Sequence, residues 1–143
     1  MPFIIRWPKV VKPDAVSHQL VHHADLMATF ADILDIQLPD NAGEDSFSFL
    51  PLLNGEDKVI REHAVSCAGD GTPSVRLSNW KLIVGQKPQL YNLADDLGER
   101  NDLADQNPDR VEQIFTLYEK LVSDGRSNPG PALKNDVEVS RRR

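Results

Sequence analysis

Apolar positions in the last third of the chain recur at a helical period. Val111, Ile114, Phe115, Tyr118, Leu121 and Val122 fall on one stripe of a 3.6-residue helix. Its boundaries are marked as well: Asn107 at the cap, Pro108 at the first helical position, where its missing N–H is no loss, and Gly125 just past the end. Before it the chain runs in short β-rich segments at 63–67, 74–77, 80–84 and 89–92. Ser78-Asn79 between the second and third reads as a hairpin turn. The pattern predicts an antiparallel sheet of about three or four strands, with the helix lying across one face.

The first 55 residues read differently. Phe3-Ile4-Ile5, bounded by prolines, predicts a short buried strand. A proline-rich loop follows over residues 7–14, and residues 17–23 are expected to be extended. Leu26, Met27, Phe30, Ile33 and Leu34 form a second helical stripe, with Asp25 placed to cap it and Pro39 blocking its continuation. Phe47, Phe49, Leu50, Leu52 and Leu53 precede Asn54-Gly55. That compact apolar run must bury part of its surface against a neighbour. Residues 1–55 therefore read as the end of something larger, residues 56–126 as a compact sheet with one packed helix, and residues 127–143 as a flexible polar tail ending in Arg141, Arg142 and Arg143.

Composition narrows the function. The 143 residues carry a net charge of −6, which argues against a nucleic-acid partner, since that needs a basic face. No apolar run approaches the ~20 residues that span a bilayer, and the first residues do not form a signal peptide. Cys67 is the only cysteine. It excludes an internal disulfide and a thiolate-rich zinc site, and a lone cysteine reads as a small buried hydrophobe. His18 and His22 would share a face only in a helix; an extended stretch turns His22 and His23 apart, so no metal site is expected there. Asp95, Asp96, Glu99, Asp102 and Asp105 lack the spacing of a calcium-binding loop and read as a solvated turn.

Four segments in order resemble the C-terminal portion of the sulfatases. Pro2-Phe3-Ile4-Ile5-Arg6-Trp7-Pro8 is similar to that family's strand and WPG-like corner, with Lys9 at the glycine. Asp25-Leu26-Met27-Ala28-Thr29 is similar to its DLxPT helix start, with Ala28 at the proline. The run from Asp45 to Gly55 resembles DGxSLLPLLxG. Trp80-Lys81-Leu82-Ile83, followed by Leu90-Tyr91-Asn92-Leu93 and Asn101-Asp102-Leu103, resembles WKLI and LYDLxxDPxExxNL, with Leu97 at the DP proline.

The resemblance implies an α/β class, α+β for this piece: the end of an alkaline-phosphatase-like large domain over residues 1–55, then the small antiparallel subdomain with its C-terminal helix over 56–126. It implies a sulfuric ester hydrolase whose formylglycine comes from a C/S-x-P-x-R motif and whose calcium binds the sulfate. Cys67-Ala68-Gly69-Asp70-Gly71 lacks both the proline and the arginine. The family's nucleophile, metal ligands and catalytic Lys and His lie upstream of these segments. No catalytic or metal-binding residue and no cofactor is therefore expected in this chain, and a sulfate ester is expected as substrate only in an intact parent. His22, His63 and Arg76 are the candidates for the edge of a substrate pocket. The other readings are a non-catalytic binding module and a piece of a related phosphonate or phosphodiester hydrolase. Intact family members are often periplasmic, secreted or lysosomal, and no membrane partner is expected.

Overall fold

The computed structural model describes residues 3–137 and 139. Pro2 and the three terminal arginines of the expected tail lie outside them. The chain divides between Arg61 and Glu62 into two compact units, six residues beyond the boundary that the Asn54-Gly55 turn suggests. The displacement has a physical cause: Arg61 at the end of the connecting strap is buried with the first unit.

In the first unit, helix α1 (Asp25–Ile33) and the short helix α2 (Leu50–Leu53) are joined by a loop that runs back along α1. Asp25 does not cap α1. The backbone N–H groups of Asp25, Leu26 and Met27 donate to the carbonyls of His22, His23 and Ala24, and that of Ala28 donates to Ser46 Oγ at 2.8 Å. The four open N–H groups of the first turn are thus satisfied by the preceding turn and by a serine 18 residues away. Asp35 just past α1 takes the left-handed conformation usual for glycine, with φ 54°. Residues 3–5 form no strand among the described residues and are exposed, because no described strand lies beside them. Residues 17–23 also join no strand.

In the second unit, four strands pair antiparallel in chain order: β1 (His63–Cys67), β2 (Pro73–Leu77), β3 (Trp80–Ile83) and β4 (Gln89–Asn92). The register aligns Val65, Val75, Leu82 and Leu90 in one row. Helix α3 (Pro108–Asp124) covers that face with Ile114, Phe115 and Tyr118. Asn107 occupies the cap position, but its side chain turns back to donate to Leu103 O. Cys67 is exposed rather than buried, because β1 is an edge strand and Cys67 is its last residue.

The opposite row is Ala64, Arg76, Lys81 and Tyr91. The acidic loop folds against it. Glu99 pairs with Lys81 at 2.7 Å, and Asp96 accepts from the backbone N–H groups of Arg100 and Asn101. Asp102 accepts from those of Leu90 and Ala104, which holds its carboxyl below the usual range. Leu103 N donates to Leu90 O, so the loop also blunts the β4 edge.

Past α3, Gly125 takes a left-handed φ of 63°, and a side chain there would collide with Leu133 O. The last carbonyls of α3 are used: Asp124 O accepts from Leu133 N and Val122 O from Asn135 Nδ2. Arg126 is buried among acceptors from Asn128 and Pro131. The polar composition that predicts a loose tail gives no sign of these bonds over residues 126–135.

Candidate functional site

The first unit holds a polar hub beside an apolar groove. At the hub, the Asp25 carboxylate is fully buried and accepts three hydrogen bonds. Oδ1 receives Arg61 Nη1 at 2.5 Å and Phe47 N at 3.0 Å; Oδ2 receives His22 N at 2.7 Å. Thr29 Oγ1 donates to Asp25 O and accepts from Phe49 N. The Arg61 guanidinium also lies 4.7 Å from the centre of the Phe47 ring, a cation–π distance. These bonds tie α1 to the loop over residues 46–49 and to the strap end at Arg61. Their chemistry is structural: the carboxylate is already matched by a cation and two amides, so it presents no free lone-pair pattern to a ligand.

The groove has a volume of about 400 Å³ and is lined chiefly by apolar side chains, among them Phe3, Ile5, Leu26, Phe30 and Phe49. Phe3 and Phe49 meet edge to face with ring centres 5.7 Å apart, so one wall is preformed.

His22 lies in the first unit; His63 and Arg76 lie in the second. His63 is opposite Leu77, and Arg76 is opposite Ala64. Alternation along a strand therefore puts the two on opposite faces of the sheet. Both sit at the end of the β1–β2 hairpin away from its loop, and Arg76 Nε donates to Ser78 O. The Asp25–Arg61 hub was missed from sequence. Asp25 was visible only as a helix start, and nothing along the chain joins it to Arg61, 36 positions on.

His22 accepts from Ala24 N at Nδ1 (3.3 Å), a bond that needs an unprotonated nitrogen. Burial and the nearby Arg61 charge lower its pKa from the ordinary value of 6.5. A lowered pKa in the folded state means that the unfolded chain takes up this proton first. The stabilisation is complete above about pH 6.5 and is lost as pH falls toward the lowered value. The expected result is a urea midpoint that drops between pH 7 and pH 5.5. In a His22→Asn variant, whose Oδ1 can accept from Ala24 without titrating, that slope should flatten; equal slopes would show that another group is responsible.

The residues present do not fit calcium or formylglycine. Among the described residues, no group of three or more His, Cys, Asp or Glu side chains is placed so that it could hold a metal ion. Asp25 is matched by Arg61, and Asp96 and Asp102 are occupied by backbone N–H groups. Cys67 lacks the proline and arginine of the modification motif.

Residues 1–126 match the family model of the N-sulphoglucosamine sulphohydrolase C-terminal region. The N-acetylgalactosamine-6-O-sulfatase of Bacteroides thetaiotaomicron is 32% identical over 138 residues, covering 85% of this chain and 27% of that protein. An ulvan-active sulfatase of Formosa agariphila is 43% identical over 63 residues, covering 44% of this chain and 12% of its own length. A solved structure concerned with glycosaminoglycan metabolism in Bacteroides thetaiotaomicron superposes with a TM-score of 0.77 at 32% identity, over 84% of this chain and 28% of that one. At most, then, the chain spans about a quarter of the length of these curated relatives. Its small sheet with one packed helix recurs in the sulfatase neighbour, and its matched region is the one at that family's C-terminal end. The chain belongs to the sulfatases, of which it is a C-terminal portion.

Proposed function

We propose that this chain is the C-terminal part of a sulfatase that hydrolyses nothing by itself and completes the fold of a catalytic part carrying the formylglycine and the calcium. The observation that carries this reading is the pairing of coverage with missing chemistry. The match is to a C-terminal family model and to 27% of a relative's length, while the 143 residues contain no C/S-x-P-x-R pattern. The nearest approach, Ser127-Asn128-Pro129, has Pro131 where the arginine belongs. Without the aldehyde hydrate there is no nucleophile for sulfur, and without the cation no counter-charge for the sulfate oxygens. The relatives named for N-acetylgalactosamine 6-sulfate and ulvan support sulfated carbohydrates as the substrate class of the intact enzyme.

The test has two arms. The chain alone, incubated with a fluorogenic aryl sulfate and calcium, should release nothing above the blank; real turnover would defeat the claim of a missing nucleophile. A chimera of the Bacteroides thetaiotaomicron relative, with residues 3–126 in place of its own matching segment, should still release sulfate from N-acetylgalactosamine 6-sulfate. A chimera that is folded and inert, or that does not fold, would count against the chain as a working sulfatase part.

A further inference from the structure

We propose that β1 is a self-pairing edge, along which two copies of this chain join their four-stranded sheets into one continuous antiparallel sheet, with Ser66 on the two-fold axis between them.

The register fixes where each backbone group of β1 points. Ser78 N donates to Glu62 O, and Ala68 N donates to Thr72 O. Between those two bonds Ala64 is opposite Arg76 and Ser66 is opposite Ser74. Bonded and non-bonded pairs alternate along an antiparallel ladder. Ala64 and Ser66 therefore turn their N–H and C=O toward β2, while Val65 and Cys67 turn theirs outward. Among the described residues nothing bonds to the outward groups of Val65 and Cys67, and Ser66 and Cys67 are exposed. The two edges of the sheet differ in this respect. Leu103 N donates to Leu90 O at the β4 edge. The β1 sequence His-Ala-Val-Ser-Cys carries no proline, lysine or carboxylate, the usual guards against strand addition.

The occupant follows from self-complementarity. Val65 and Cys67 each offer one donor and one acceptor, two positions apart. A second β1 turned antiparallel about Ser66 sets Val65 opposite Cys67 of the copy, and Cys67 opposite its Val65. The two bonded pairs exchange four hydrogen bonds, as an isologous contact requires. A slip by one residue would set outward groups against inward ones. At the axis Ser66 meets its own copy, with neither bulk nor charge to resist the approach. Val65 shares the face covered by α3, and opposed residues share a face, so both copies of α3 lie on one side of the joined sheet. Cys67 faces a valine, so the seam is non-covalent.

The test uses the full chain. Sedimentation velocity should give twice the mass of one chain, falling to a single chain on dilution. Amide exchange at Val65 and Cys67 should slow by about 100-fold as the dimer forms, whereas Ala64 and Ser66, already held by β2, should be protected at every concentration. Cys67→Pro removes an outward donor and no bond to β2. It should raise the dissociation constant by about 30-fold or more and leave the urea unfolding of dilute, monomeric samples unchanged. Cys67→Ser should dimerise as the original chain does. Should Cys67→Pro fail to fold, Ser66 decides: Ser66→Lys and Ser66→Glu should each weaken the dimer by placing like charges at the axis, and an equal mixture of the two should restore it. A lesion in folding would not be rescued by mixing. A chain that stays monomeric overturns the proposal. So does a folded Cys67→Pro chain that dimerises undiminished, a mixture of the Ser66 variants that does not recover, or a dimer lost in Cys67→Ser. None of these outcomes touches the sulfatase reading, which rests on other residues.

Discussion

Replacing Arg61 with Met should destabilise the first unit by about 3–5 kcal/mol, the usual result of removing one partner from a buried ion pair. The effect is large because of what remains. Asp25 is fully buried and would be left with only the Phe47 and His22 amides as donors. The loss extends beyond the pair, since the same carboxylate holds the loop over residues 46–49 against α1 and the guanidinium lies over Phe47. The double variant Asp25→Leu with Arg61→Met should recover part of the loss, because no uncompensated charge is left, but not all of it, because two backbone N–H groups lose their acceptor. The two tryptophans make this measurable: Trp7 lies in the first unit and Trp80 in the second. In a Trp80→Phe background, urea unfolding followed by Trp7 fluorescence reports the first unit. A midpoint unchanged by Arg61→Met would show that the pair contributes nothing.

Ile114→Ala should destabilise the second unit by about 2–5 kcal/mol. Ile114 is fully buried and belongs to the core cluster in which α3 packs on Val75, Leu82 and Leu90. Truncation removes its apolar burial and leaves a void that a helix anchored at both ends cannot close. Leu97 provides the contrast. It is equally apolar but 84% exposed, and Leu97→Ala should change stability by no more than about 0.5 kcal/mol. Trp80, which packs against the same cluster, is the fluorescence reporter in a Trp7→Phe background. Equal losses for the two variants would mean that the packing of α3 on the sheet is not the main support of this unit.

The second unit was legible along the chain because its signals are local. The hairpin around Ser78-Asn79, the alternation in the strands and the start of α3 at Pro108 each lie within a few residues of what they determine. Their apolar rows face a partner inside the same segment, so periodicity and burial agree. The caps were read less well. Asn107 and Asp25 stand at helix starts, but both side chains bond elsewhere, and the open N–H of Ala28 is satisfied by Ser46. A capping preference describes a short peptide; in a folded chain any acceptor within reach competes.

The amino-acid sequence by itself determined the family, the order of the elements from α1 onward and the absence of a formylglycine motif, since these depend on residue identity and spacing alone. Only the tertiary structure decided that Asp25 and Arg61 share a buried hub, that His63 and Arg76 lie on opposite faces of one sheet, and that Phe3, Ile4 and Ile5 remain uncovered. Apolar character says that a residue gains by leaving water, but burial also requires a surface to receive it, and whether the fold brings one up is settled by contacts between positions far apart in the chain.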